Sequence, residues 1–200
     1  IRQQLISNNI KDVDAIVYTH EHADQTAGIF EFRPFYFVKK EKIPIYCNLE
    51  TKIRITKSYP WLFKSSKLYP QTLQIKNLSN NFWIKKKNFK IHFESILVKH
   101  GRFKTRGYFF KNIAYISDCN EIPERSLNKL KNLNYLIIDC FRFDAHITHL
   151  NLSKTLRLIE LLKPKKAILT NMHIDLDYEY LKKNLPKNVS PAFDGMSFKF

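Results

Sequence analysis

Val13-Asp14-Ala15-Ile16-Val17-Tyr18-Thr19-His20-Glu21-His22-Ala23-Asp24-Gln25-Thr26-Ala27-Gly28 is a short apolar run that ends abruptly in a polar cluster. The run Val13–Tyr18 has the length and composition of a buried strand. Two histidines two positions apart in an extended loop can both turn toward one point. Neutral imidazole is the commonest protein ligand for zinc-like ions. Asp24, two residues further on, adds a harder oxygen ligand on the same side. A polar loop with incidental histidines is the alternative, and strand-end placement together with the His-x-His-x-Asp spacing favours metal binding.

Three later clusters repeat that placement. Lys99-His100-Gly101 follows the strand pattern Lys90–Val98, and the glycine permits close backbone approach. Ser117-Asp118-Cys119 closes the strand pattern Ile113–Ser117, and Thr170-Asn171-Met172-His173 closes Ala167–Leu169. Singly, His100 or Asp118 reads equally well as a ligand or as a capping residue. Repetition at several strand ends raises both, because sites on sheet scaffolds are built that way. Cys119, adjacent to Asp118, points to the opposite face of the strand and reads as core.

Further strand patterns lie at Ile43–Cys47, Gly107–Lys111 (with Asn112 at the turn into Ile113–Ser117) and Tyr135–Asp139. Leu152, Leu156, Ile159 and Leu162 recur at helical spacing and predict a helix over Leu152–Leu162. Strands mixed with helices throughout place the chain in the α/β or α+β class, with helices covering sheet.

The 200 residues fit a single domain over 1–200, and no repeat or linker divides them. At 44% hydrophobic and 26% charged the composition is globular, and no apolar run approaches a membrane span. Three widely spaced cysteines imply no disulfide framework and fit a reducing, cytoplasmic compartment. The chain has no signal-peptide layout, and its start at Ile1 leads us to expect an N-terminally incomplete segment. Lys and Arg total 34 against 18 acidic residues, a net charge of +16. The lysines are scattered, with short clusters only at Lys85–Lys87 and Lys163–Lys166, so a solvated basic surface is favoured over a dedicated nucleic-acid face.

The segments THEHADQTAG (19–28), HG (100–101), ISDC (116–119), LTNMHIDLDYEYL (169–181) and PAFDGMSF (191–198) together resemble the metallo-β-lactamase fold superfamily. More narrowly they resemble its branch of phosphonate-pathway cyclic phosphate phosphodiesterases. The resemblance implies an αβ/βα sandwich, here lacking its first strands. It implies a first metal site of His20, His22 and His100, with Asp118 bridging to a second metal. The second site would use Asp24 and two histidines, at whose positions this chain carries Gln25 and Asn171. Amide oxygens are weaker, harder ligands than imidazole, so the set suits Mn²⁺ or Mg²⁺ better than Zn²⁺, or leaves the second site altered. His173, two residues past Asn171, is a candidate shifted ligand. His149 would contact substrate phosphate and help the leaving group depart, although it also reads as a polar residue near the start of the Leu152–Leu162 helix. His146 is a weaker candidate for that role. Asp14 and Asp139 are candidates to orient ligand imidazoles.

The implied function is a metal-dependent hydrolase of phosphodiester bonds, such as cyclic phosphates of small nucleotides or sugars, using hydroxide generated at Zn²⁺ or Mn²⁺. The implied partner is a small phosphodiester, with nucleic acid less favoured, no membrane, and a homodimer compatible. An RNA-processing metallo-nuclease and a metal-stabilised, non-enzymatic binding module are the alternatives.

Overall fold

A computed structural model describes residues 1–86 and 89–199; Lys87 of the Lys85–Lys87 cluster lies outside them. The chain divides into two compact units, Ile1–Ile91 and His92–Phe200.

In the first unit, β1 (Ile16–Val17), β2 (Ile43–Cys47) and β3 (Leu73–Asn77) form a parallel sheet in that order. Parallel neighbours need crossovers, and short helices supply them. After α1 (Arg2–Ser7), the first crossover holds α2 (Ala23–Thr26) and α3 (Arg33–Lys39), and the second holds α4 (Leu49–Ser58) and α5 (Pro60–Phe63). Asn48 caps α4 by accepting from the Thr51 N–H. Ile16, Ile29, Ile43, Ile45, Ile55, Leu62 and Leu73 form the core of this unit. The predicted strand Val13–Tyr18 shrinks to two residues of ladder, although Tyr18 N–H still donates to the Tyr46 carbonyl. β4 (Asn81–Lys86) completes the unit's strands, and Phe82 stacks on Tyr46.

The second unit is built on β5 (Phe89–His100), β6 (Phe103–Phe110), β7 (Ile113–Ile116), β8 (Tyr135–Asp139), β9 (Lys166–Thr170) and β10 (Val189–Pro191), with sheet order β10-β9-β8-β7-β6-β5. β5, β6 and β7 pair antiparallel, and β7 through β10 pair parallel. β5 therefore runs in the same direction as β7, β8 and β9, and the carboxyl ends of all four face one way. In open α/β sheets that edge is where ligands bind.

Helices α6 (Glu124–Leu127), α7 (Leu152–Leu162) and α8 (Tyr178–Asn184) connect the parallel strands. α7 covers the span that the apolar spacing predicts, and it buries Ile159 and Leu162 with Thr155. Its cap is Asn151, which accepts from Lys154 N–H, so His149 is not the capping residue. Ile116, Leu136, Ile138, Leu150, Leu162 and Leu169 lie in one core, where full burial of each such side chain contributes about 1.5–3 kcal/mol. Cys119 and Cys140 lie in the same core.

Candidate metal centre

In the first unit, β1 delivers Thr19, His20 and His22 just beyond its carboxyl end. His20 is buried and His22 half-buried. The Thr19 hydroxyl lies 3.0 Å from His20 Nδ1, which orients the ring. His20 Nε2 and His22 Nδ1 are 3.0 Å apart. Two nitrogens on a tetrahedral ion at about 2.0–2.1 Å would stand roughly 3.3 Å apart, so the pair has the spacing of two ligands of one metal. The motif is not loop throughout: His22 ends the extended segment, and Asp24 and Gln25 lie on α2. Gln25 Nε2 donates to Asp24 Oδ2 at 2.8 Å. Burial acts to raise the Asp24 carboxyl, yet that hydrogen bond, a backbone bond and the nearby His20 and His22 bring it below its ordinary value. Asp14 forms ion pairs with Lys39 and Lys86 rather than serving the imidazoles.

In the second unit, β5 ends in His100, and β7 leads directly into Asp118; both side chains are almost wholly buried. His100 Nδ1–H donates to the Thr148 carbonyl at 2.8 Å. That bond fixes the tautomer and puts the lone pair on Nε2. Nε2 stands 3.8 Å from Asp118 Oδ2. An imidazole nitrogen and a carboxylate oxygen in this relation are suitable partners for a divalent ion. Gly101 follows at φ 61, and its N–H donates to Asn120 Oδ1 at 2.8 Å. The Thr105 hydroxyl donates to the Asp118 carbonyl at 2.9 Å and holds that strand end.

The ends of β8 and β9 supply a second group. Asp139 is completely buried. Its Oδ2 accepts from Leu150 N–H at 2.9 Å and lies 3.3 Å from His149 Nδ1. Asn171 Nδ2 donates to Asp139 Oδ1 at 2.8 Å and to Asp118 Oδ1 at 3.2 Å. Asp139 is thus a strand-end residue whose carboxylate faces the imidazole of His149 rather than that of His20, His22 or His100. The His149 ring packs edge-on against His100, with centroids 4.7 Å apart.

His149 also stacks on Phe141, centroids 4.6 Å apart, and the Phe141 ring borders His146 and His173 as well. Phe141 was not anticipated, and its only sequence signal was a position two residues beyond a strand that ends in aspartate. Burial, reinforced by the charges of His149 and Arg142, holds His146 below its ordinary value. His173 is exposed, and its Nδ1 pairs with Asp175 Oδ1 at 3.1 Å.

Comparison with known proteins agrees with the strand-end architecture. The family model "Beta-lactamase superfamily domain" matches residues 1–174. A crystal structure of a diphosphatase from the PhnP family is 30% identical, covers 98% of this chain and 74% of its own, and has a TM-score of 0.87. Zn²⁺-bound PqqB from Methylobacterium extorquens shares the fold at a TM-score of 0.78 and 12% identity, covering 100% of this chain and 80% of its own. An octanoyltransferase of Porphyromonas gingivalis is 23% identical over 198 residues, 98% of this chain but 39% of that protein. The chain therefore spans about two fifths of the length of that curated relative. By the family model and by the diphosphatase, this chain belongs to the β-lactamase superfamily domain family, with the metallo-β-lactamase fold and a resemblance to its PhnP branch.

Proposed function

We propose that the protein is a metal-dependent hydrolase of a phosphodiester or diphosphate linkage in a small substrate, with His20, His22, His100 and Asp118 together holding a divalent ion. The observation that carries the reading is His149: its Nδ1 faces buried Asp139 while its ring lies against His100. An imidazole held at Nδ1 by a carboxylate carries Nε2 on the opposite edge of a ring that packs against a metal-ligand candidate. A bound ion would supply Lewis acidity toward the phosphoryl group and lower the pKa of water. His149 would protonate the departing oxygen from Nε2, with Asp139 fixing the Nδ1–H tautomer and favouring the imidazolium. Phe141 limits the tilt of the His149 ring by stacking on it. The net charge of +16 would raise the local concentration of anionic substrate.

The diphosphatase of the PhnP family supports phosphoryl chemistry over octanoyl transfer, since the octanoyltransferase match leaves most of that protein uncovered. Among the described residues no helix is long and apolar enough to cross a membrane. All three thiols are free and buried, which suits a reducing cytoplasm. Turnover of bis(p-nitrophenyl) phosphate and of a dinucleoside diphosphate, with metal content measured on the same sample, tests the proposal. Metal-dependent turnover of either supports it, and bound metal with turnover of neither would make the chain a metal-stabilised binding module. RNA cleavage with steeply salt-dependent binding would instead favour a nuclease, a reading for which human tRNase Z, 16% identical, offers fold likeness only.

A further inference from the structure

We infer that the side-chain amide of Asn171 stands where a second cation would be needed, so that the protein binds one divalent ion per chain; this rests on the metal-hydrolase reading. Asp118 and Asp139 are 2% and 0% exposed, and two buried carboxylates sharing one neighbourhood need either a cation or several hydrogen-bond donors. On the side that the two carboxylates share, Asn171 supplies donors. Asn171 Nδ2 reaches Asp139 Oδ1 at 2.8 Å and Asp118 Oδ1 at 3.2 Å, one N–H for each carboxylate. The other oxygen of Asp139 takes Leu150 N–H at 2.9 Å, with Cys119 N–H at 3.4 Å and His149 Nδ1 at 3.3 Å.

The orientation of the amide follows from chemistry. With a carboxylate oxygen on either side, the facing atom must be the nitrogen, because the amide oxygen would be repelled by both. An atom that presents protons to Asp118 and Asp139 cannot also present a lone pair to a metal between them. Asn171 is held there by its backbone, at φ 62 just past the end of β9, a conformation that Asn adopts more readily than most side chains. Gln25, the other carboxamide, is also committed as a donor, to Asp24.

The test is to titrate metal-free protein with Mn²⁺ and with Zn²⁺ by calorimetry, counting bound ions by elemental analysis, for the unmodified chain, Asn171→Asp and Asn171→His. Asp and His both tolerate positive φ, so the backbone is not the variable. We expect one ion in the unmodified chain and a second in each variant, because Asn171→Asp adds a third carboxylate and Asn171→His a lone pair. Two ions in the unmodified chain would overturn the inference and leave the hydrolase reading standing. No ion in the folded, unmodified chain would overturn both. One ion in all three would remove the blocking role of Asn171. Should a variant fail to fold, the stoichiometry of the unmodified chain still decides.

Discussion

The carbonyl oxygen of Thr148 accepts a 2.8 Å hydrogen bond from His100 Nδ1, although 48 positions separate the two residues. The bond fixes which nitrogen of His100 carries the lone pair, and Gly101 is what lets the Thr148 segment come so close. A Cβ on Gly101 would lie 2.6 Å from Thr148 Cγ2, and the residue is at φ 61.

Gly101→Ala should therefore cost stability twice, through left-handed strain and through overlap, for a total of about 2–3 kcal/mol. Metal affinity should fall with it, since Thr148 must move and His100 loses its orienting acceptor. Adding Thr148→Ser removes the overlapping methyl and should recover the overlap part, leaving about 1–2 kcal/mol of strain. Thermal melting and metal titration of the two variants check this, and equal loss in both would discard the contact as the cause.

His149→Ala should leave metal content unchanged and lower turnover about 10²–10⁴-fold, the usual contribution of a general acid. The loss should shrink for p-nitrophenyl leaving groups, which need no proton. Asp139→Asn should also lower turnover with metal retained, because it removes the anion that favours the imidazolium and sets an amide N–H against either Asn171 Nδ2 or the donors on Oδ2. Equal loss on good and poor leaving groups would confine His149 to positioning phosphate, and loss of metal would move it into the coordination sphere.

Much of this arrangement is legible in the sequence. Hydrophobic periodicity placed α7 at Leu152–Leu162, and a short continuous apolar run placed β8 at Tyr135–Asp139. The strand ends carrying His20, His100, Asp118 and Asn171 were visible because a polar cluster stops each apolar run. The short helices of the first unit and strands β3 and β4 were not visible. Burial alternates along both, but Leu73–Asn77 offers only two apolar residues, and in Asn81–Lys86 the exposed Trp83 sits between Phe82 and Ile84 while the half-buried Lys86 is charged, so residue type does not report the alternation. The commitment of Asn171 to two carboxylates was equally hidden. Spacing says which residues sit at strand ends, but not which way an amide turns.

The three thiols give a pH prediction of definite sign. Burial pushes Cys47 up to about 11 and Cys140 up to about 12, and it also raises Cys119, helped by Asp139 and Asp118. Above pH 9, the ordinary thiol value, the unfolded chain releases protons that the folded chain keeps. The folded state then binds more protons, so stability is intact below pH 9 and falls as pH rises toward 11–12. Urea denaturation at pH 8 and pH 10 should show the decline, and Cys47→Ala with Cys140→Ala should flatten it. An unchanged slope in the double variant would assign the decline to other groups.

Metal removal should destabilise the second unit more than surface charge changes do. His100 and Asp118 have side chains only 4% and 3% exposed, and a buried carboxylate facing an imidazole is costly without a counter-ion. An ion that binds only the folded state stabilises it by about 2.7 kcal/mol at a hundredfold excess over its dissociation constant. Melting temperature should therefore rise with added Mn²⁺ or Zn²⁺ and fall with chelator. His100→Ala should abolish most of that dependence by removing a ligand. The exposed His173 is paired with Asp175, so His173→Ala should retain the dependence. If His173→Ala lost it while His100→Ala kept it, the ligand assignment would pass to the loop after β9 and the strand-end reading of the site would fail.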